Sequence, residues 1–171
     1  MKKLLILLIP LLLTGCSFLE TLDTEPLKDI KYDNPYICKN DFNLRDYTSY
    51  TGILHDVNIV YDLNENNNDI KNIYYINTVN FTDANIDERG LKMQIENLTN
   101  YCKLINNKES NYKYYSNCEY SILDQVVTYR FKVDPEYIRP KEYVNNLKEY
   151  LSSINTLSKL YIKDDVSFSC K

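Results

Sequence analysis

The chain has 171 residues and a mass of 20.3 kDa, enough for one domain with a substantial core. Its net charge of −4 becomes −6 if a leader takes away the two lysines Lys2 and Lys3, which argues against the basic face a nucleic-acid binder needs. Asn, Tyr and Ile occur 21, 17 and 16 times against one alanine and no tryptophan, a bias that A/T-rich coding explains, and three glycines supply neither a phosphate loop nor a G-x-S-x-G elbow.

Lys2-Lys3 is a short positive segment, and Leu4 to Leu13 is a ten-residue apolar run interrupted only by Pro10. A helix needs about 20 apolar residues to cross a bilayer, so the run reads as a secretory leader. Leu13-Thr14-Gly15-Cys16 resembles the lipobox of bacterial lipoproteins, Leu-x-Gly-Cys. That resemblance implies that the Cys16 thiol receives a diacylglycerol, that the chain is cut before Cys16, and that the new amino group takes an acyl chain such as palmitate. Small residues before the cut let the backbone enter a peptidase, and two or more acyl chains hold a protein on a membrane where one does not. Residues 1–15 are thus expected to be a signal peptide. Residues 16–35 contain Glu20, Asp23, Thr24, Glu25, Pro26 and Pro35 without clear periodicity and are expected to form a lipidated tether. Residues 36–171 are expected to form a single domain.

Within that domain, Gly52 to Leu63 alternates: Ile53, His55, Val57, Ile59, Tyr61 and Leu63 share one face, with Asp56, Asn58 and Asp62 on the other. This is a half-buried strand. The Asn-rich stretch Asn64 to Asp69 is a turn by its chemistry. Ile70 to Phe81 is a second strand, with Ile73, Tyr75, Val79 and Phe81 on one face, and the two strands make a long hairpin. A helix is expected from Asp83 or Asp87 to Asn106, striped by Leu91, Ile95, Leu98, Cys102 and Ile105. Tyr112 to Ile122 and Val126 to Val133 form a second hairpin, with Val127, Tyr129, Phe131 and Val133 inward and Thr128, Arg130 and Lys132 outward. A second helix is expected over Lys141 to Ile154, and a short closing strand near the end of Leu160 to Cys170. The fold class is α+β: an antiparallel sheet of about four or five strands, with two helices on one face.

Removing Cys16 from the five cysteines leaves Cys38, Cys102, Cys118 and Cys170. An even number outside the cytoplasm suggests two disulfides, for which three pairings exist. Cys102 ends a helix and Cys118 begins the next strand, a loop that closes easily, which pairs Cys38 with Cys170. A zinc site or a redox-active pair is the alternative, but the C-x-x-C spacing both usually show is absent.

Several of these features are similar to the YehR-like group of small bacterial lipoproteins, whose layout is lipobox, tether, long hairpin, helix, second hairpin, helix. The likeness covers residues 36–171 and rests on Cys38 ahead of the first hairpin, Cys102 at the helix end, Tyr114 to Tyr120 around Cys118, Val127-Thr128-Tyr129-Arg130-Phe131, and Phe168-Ser169-Cys170-Lys171. It implies fold and location only.

No catalytic constellation stands out. His55, the only histidine, lies on the apolar face of a strand and reads as a core or edge residue. Asn64 to Asp69 carries Glu65 and Asp69 but lacks the spacing of a calcium loop. Asp83, Asp87 and Glu88 at a helix start act as cap and dipole residues before they act as acid and base; Asp164-Asp165 reads as a turn. Tyr74, Tyr112, Tyr114, Tyr115, Tyr120 and Tyr129 either form a binding face or reflect the coding bias. The expectation is a non-enzymatic lipoprotein without cofactor or metal, on the outer side of a bacterial cell membrane. Its partners would be the membrane, through the lipid, and a surface protein or a small ligand.

Overall fold

The computed structural model describes residues 22–43, 51–141, 144–153 and 168–171. The expected signal peptide, the lipobox-like stretch with Cys16, and Asp164-Asp165 lie outside the described residues. The expected α+β class is present, with six strands rather than four or five. These are β1 (Pro35–Asn43), β2 (Leu54–Leu63), β3 (Ile70–Asn80), β4 (Tyr115–Leu123), β5 (Val126–Val133) and β6 (Ser169–Cys170). The helices are α1 (Glu88–Asn106) and α2 (Leu147–Ser153). The sheet runs β4-β5-β3-β2-β1-β6, every pairing antiparallel.

β2 and β3 form the long hairpin. Asn64 organises its turn: its Oδ1 accepts the N–H of Asn68 at 3.0 Å, and its carbonyl accepts that of Asn67 at 3.0 Å. Asn67 takes a φ of 55°, a conformation asparagine tolerates better than most residues. Ahead of β2, Gly52 has a φ of 84°, and a Cβ there would lie 2.3 Å from the Asp83 carbonyl oxygen, so only glycine fits.

The inner face is laid out by register. Cys38, Ile59, Tyr75 and Phe131 line up across β1, β2, β3 and β5, and all are buried. α1 covers the β5–β4 side of this face, with Leu91, Ile95, Cys102 and Ile105 buried and the Tyr101 ring 5.9 Å from that of Phe131. The Asp87 side chain caps the helix by accepting the Gly90 N–H at 2.7 Å. α2 covers the β1 side of the same face: Leu147 and Leu151 are buried, and Ser152 hydrogen-bonds Tyr36.

Four details differ from the sequence reading. β1 is an additional strand; only Tyr36 and Cys38 mark its buried face, too short a pattern to read as a strand. β4 starts at Tyr115 instead of Tyr112, after a 3-10 turn over Ser110–Tyr112. A bulge between Ser116 and Glu119 resets its alternation, so Tyr115 and Cys118 are both buried. α2 begins at Leu147, because the Asn146 carboxamide caps it by accepting the Glu149 N–H at 3.2 Å; Lys141 precedes the helix. Of the closing strand, Ser169–Cys170 is present; residues 160–167 lie outside the described residues.

Candidate functional site

The outer face of the sheet, opposite the helices, is crossed by residues 22–34, a stretch without secondary structure. Thr24 fastens one end to the exposed edge of β4: its N–H donates to the Ile122 carbonyl at 2.8 Å, and its hydroxyl accepts the Ile122 N–H at 2.9 Å. Farther along, the Arg130 guanidinium donates to the Lys28 carbonyl. The Tyr32 ring then meets Tyr74 edge-on at 5.4 Å. Burial there raises the Tyr32 phenol above its ordinary pKa, against the lowering influence of the Arg130 charge. Finally, the buried Asp62 carboxylate accepts the N–H groups of Asp33 and Asn34 at 3.0 and 2.9 Å. The segment is thus a strap laid diagonally from the β4 edge to the start of β1. Most of the stretch read as a tether packs against the domain. Thr24, Leu27 and Ile30, every third residue, are half-buried between exposed neighbours, a spacing that neither helix nor strand periodicity detects.

Between the strap and the β4 bulge lies a cleft of about 480 Å³. Ile30 of the strap, Tyr74 of β3, Asn117 and Glu119 of β4, and Arg130 and Lys132 of β5 line it. Arg130 is the structural hub: its Nε and Nη2 grip Glu119 Oε2 at 2.9 and 2.7 Å while Nη1 holds the strap. The Arg130 side chain is 12% exposed and that of Glu119 58%, so the guanidinium is held beneath the strap while the carboxylate reaches solvent. The Lys132 ammonium sits 5.3 Å from the centre of the Tyr74 ring and makes no salt bridge among the described residues. Asn117 has a φ of 53° in the bulge and is exposed. The alternation of β5 already turned Arg130 and Lys132 outward; the bulge and the strap that make a cleft of them left no periodic signal.

The residues singled out in sequence fall elsewhere. Cys38 pairs with Cys170 across β1 and β6, with Cα atoms 4.0 Å apart, and Cys102 joins Cys118, with Cα atoms 5.0 Å apart. The first bond sits in register between neighbouring strands, flanked by reciprocal hydrogen bonds between Ile37 and Lys171 at 3.0 and 2.9 Å. The tyrosines do not form a face. Tyr74, Tyr115 and Tyr129 are buried, and Tyr112, Tyr114 and Tyr120 are half-buried against the core. Asp83, Asp87 and Glu88 converge on no site, and no group of three or more His, Cys, Asp or Glu capable of holding a metal exists among the described residues.

His55 lies inside the sheet's inner face beside a polar trio. Asn77 Nδ2 donates to Tyr129 Oη at 3.0 Å and lies 3.1 Å from His55 Nδ1, and Tyr75 Oη is 3.4 Å away. Burial lowers the imidazole pKa to about 4, against the raising effect of the Asn77 contact. Burial likewise raises both phenols. The group is neutral and enclosed, which suits structure better than chemistry on a substrate.

Comparison with protein-family models, with curated proteins and with solved structures finds no match for the chain. No helix among the described residues is long and apolar enough to cross a membrane.

Proposed function

We propose that the protein is a lipid-anchored lipoprotein on the outer side of a bacterial cell membrane, and that its role is binding rather than catalysis. The observation that carries the location is the order Lys2-Lys3, apolar run, Leu13-Thr14-Gly15-Cys16. Two disulfides fit an oxidising compartment. The likeness to YehR-like lipoproteins points to the same place. Only residues 17–21 separate Cys16 from Leu22, where the strap begins, so at about 3.4 Å per residue Leu22 would stand within roughly 20 Å of Cys16.

Between a protein partner and a small ligand, the cleft favours the ligand. A flat aromatic face would have favoured a partner, but the tyrosines that could have made one are largely spent on the core. The test is expression in a bacterial host fed labelled palmitate. The wild-type chain is expected in the membrane fraction, labelled, with a diacylglyceryl amino-terminal peptide by mass spectrometry; Cys16→Ser is expected to lose the label. An unlabelled wild-type chain would overturn the reading.

A further inference from the structure

We propose that the cleft under the strap binds a small monoanionic carboxylate, held by Lys132 and Asn117. The inference rests on the binding role proposed above and names the ligand class of the same site. Its basis is the charge balance of the cleft. Three ionic side chains line it, on a protein whose net charge is −4. Arg130 and Glu119 pair with each other, and Arg130 Nη1 also donates to the strap, which engages three of its five N–H groups. Lys132 is left as a single uncompensated positive charge, placed over the Tyr74 ring, which is itself braced by Tyr32. An ammonium held by a ring face loses little further freedom when an anion arrives.

The rest of the lining sets the class. Asn117 brings an exposed carboxamide whose N–H groups can donate to a carboxylate oxygen, and no hydrogen bond within the described residues engages it. Ile30 supplies an apolar wall for a short carbon chain. With Glu119 and Arg130 paired, the cleft carries one net positive charge, so a second negative charge on the ligand finds no counter-charge there. Inorganic phosphate, a mixture of monoanion and dianion at neutral pH, is therefore disfavoured in its dianionic form against a carboxylate. A neutral molecule of the same shape leaves the ammonium without its counter-charge.

The experiment is a calorimetric titration of the full chain in detergent micelles with sodium butyrate, butyramide and inorganic phosphate. Butyrate is expected to bind saturably, with butyramide and phosphate each about tenfold weaker, and with binding falling as salt rises. Lys132→Gln is expected to weaken butyrate about tenfold, while Lys132→Arg stays within about threefold of the wild type; unchanged thermal unfolding of both variants shows that the fold is intact. Equal binding of butyrate and butyramide, wild-type binding by Lys132→Gln, or no saturation with butyrate would each overturn the inference. The parent reading fails separately. A palmitoylated membrane protein that ignores butyrate sinks only the ligand class, whereas an unmodified Cys16 sinks the anchor and leaves the titration valid.

Discussion

At the residue scale, His55 makes a definite pH signature. An unfolded histidine titrates near 6.5, whereas the buried imidazole resists protonation down to about 4. Between those values the unfolded chain takes up a proton that the folded chain refuses. Stability is therefore full above pH 6.5, declines as the pH falls toward 4, and stops responding to this group below that. The gap between those two values corresponds to about 3 kcal/mol. Urea unfolding midpoints measured from neutral to acid pH should show this loss. His55→Gln, which cannot titrate, should be less stable at neutral pH and flatter over that window; a parallel slope in both proteins would contradict the assignment. Sequence made part of this legible. Strict alternation from Ile53 to Leu63 put His55 on the buried face, where it is. Its partner Asn77 comes from β3, and Tyr129 from β5, two strands away in space but 52 residues beyond Asn77 in sequence. Only the register of three strands brings them together.

At the scale of elements, the edge of β4 is closed by two single residues doing what a neighbouring strand would do. An unpaired strand edge invites association with another chain. Here Asn106, the last residue of α1, donates from Nδ2 to the Cys118 carbonyl at 2.8 Å and accepts the Cys118 N–H on Oδ1 at 2.8 Å. Thr24 makes the equivalent pair with Ile122. Asn106→Ala should destabilise the fold by about 2 kcal/mol, because two backbone groups in the bulge lose their partners. Asn106→Asp should do at least as much harm, since it replaces the donor with an oxygen facing the Cys118 carbonyl. Denaturant unfolding of both variants tests this, and an aspartate variant as stable as the wild type would show the bond to Cys118 to be dispensable. None of this was readable in the heptad-like stripe of α1, which reports the buried side of a helix and is silent about its ends. The stripe itself was a sound guide: Leu91, Ile95, Cys102 and Ile105 are buried as their spacing requires. The second hairpin was less faithfully marked, because the bulge after Ser116 breaks the period of two on which strand recognition depends.

For the whole molecule, the two disulfides act at different ranges. Cys38–Cys170 closes a separation of 132 residues and Cys102–Cys118 one of 16. In the chain-entropy account these remove about 5 and about 3 kcal/mol of unfolded-state freedom, respectively. Cys38→Ser with Cys170→Ser should therefore lower the thermal midpoint more than Cys102→Ser with Cys118→Ser, and calorimetry of the two double variants checks the order. The pairing was accessible from sequence because one pair was local and the other followed by elimination. The sheet order was not. It requires β1, a strand marked by only two buried side chains, to lie between β2 and the last strand, and the Cys38–Cys170 bond is what identifies that neighbour.

The strap has a mechanical meaning. A pull on the chain ahead of Leu22 would not reach the sheet all at once. It would meet Thr24 at the β4 edge, then the Arg130 grip on Lys28, then the Tyr32–Tyr74 contact, then Asp62, each loaded in turn. Only after these gave way would tension arrive at β1, where Cys38 bolts the strand to β6. The arrangement works like the strain relief on a cable: tugging at the leash frays a sacrificial run of weak links before it disturbs the domain behind them.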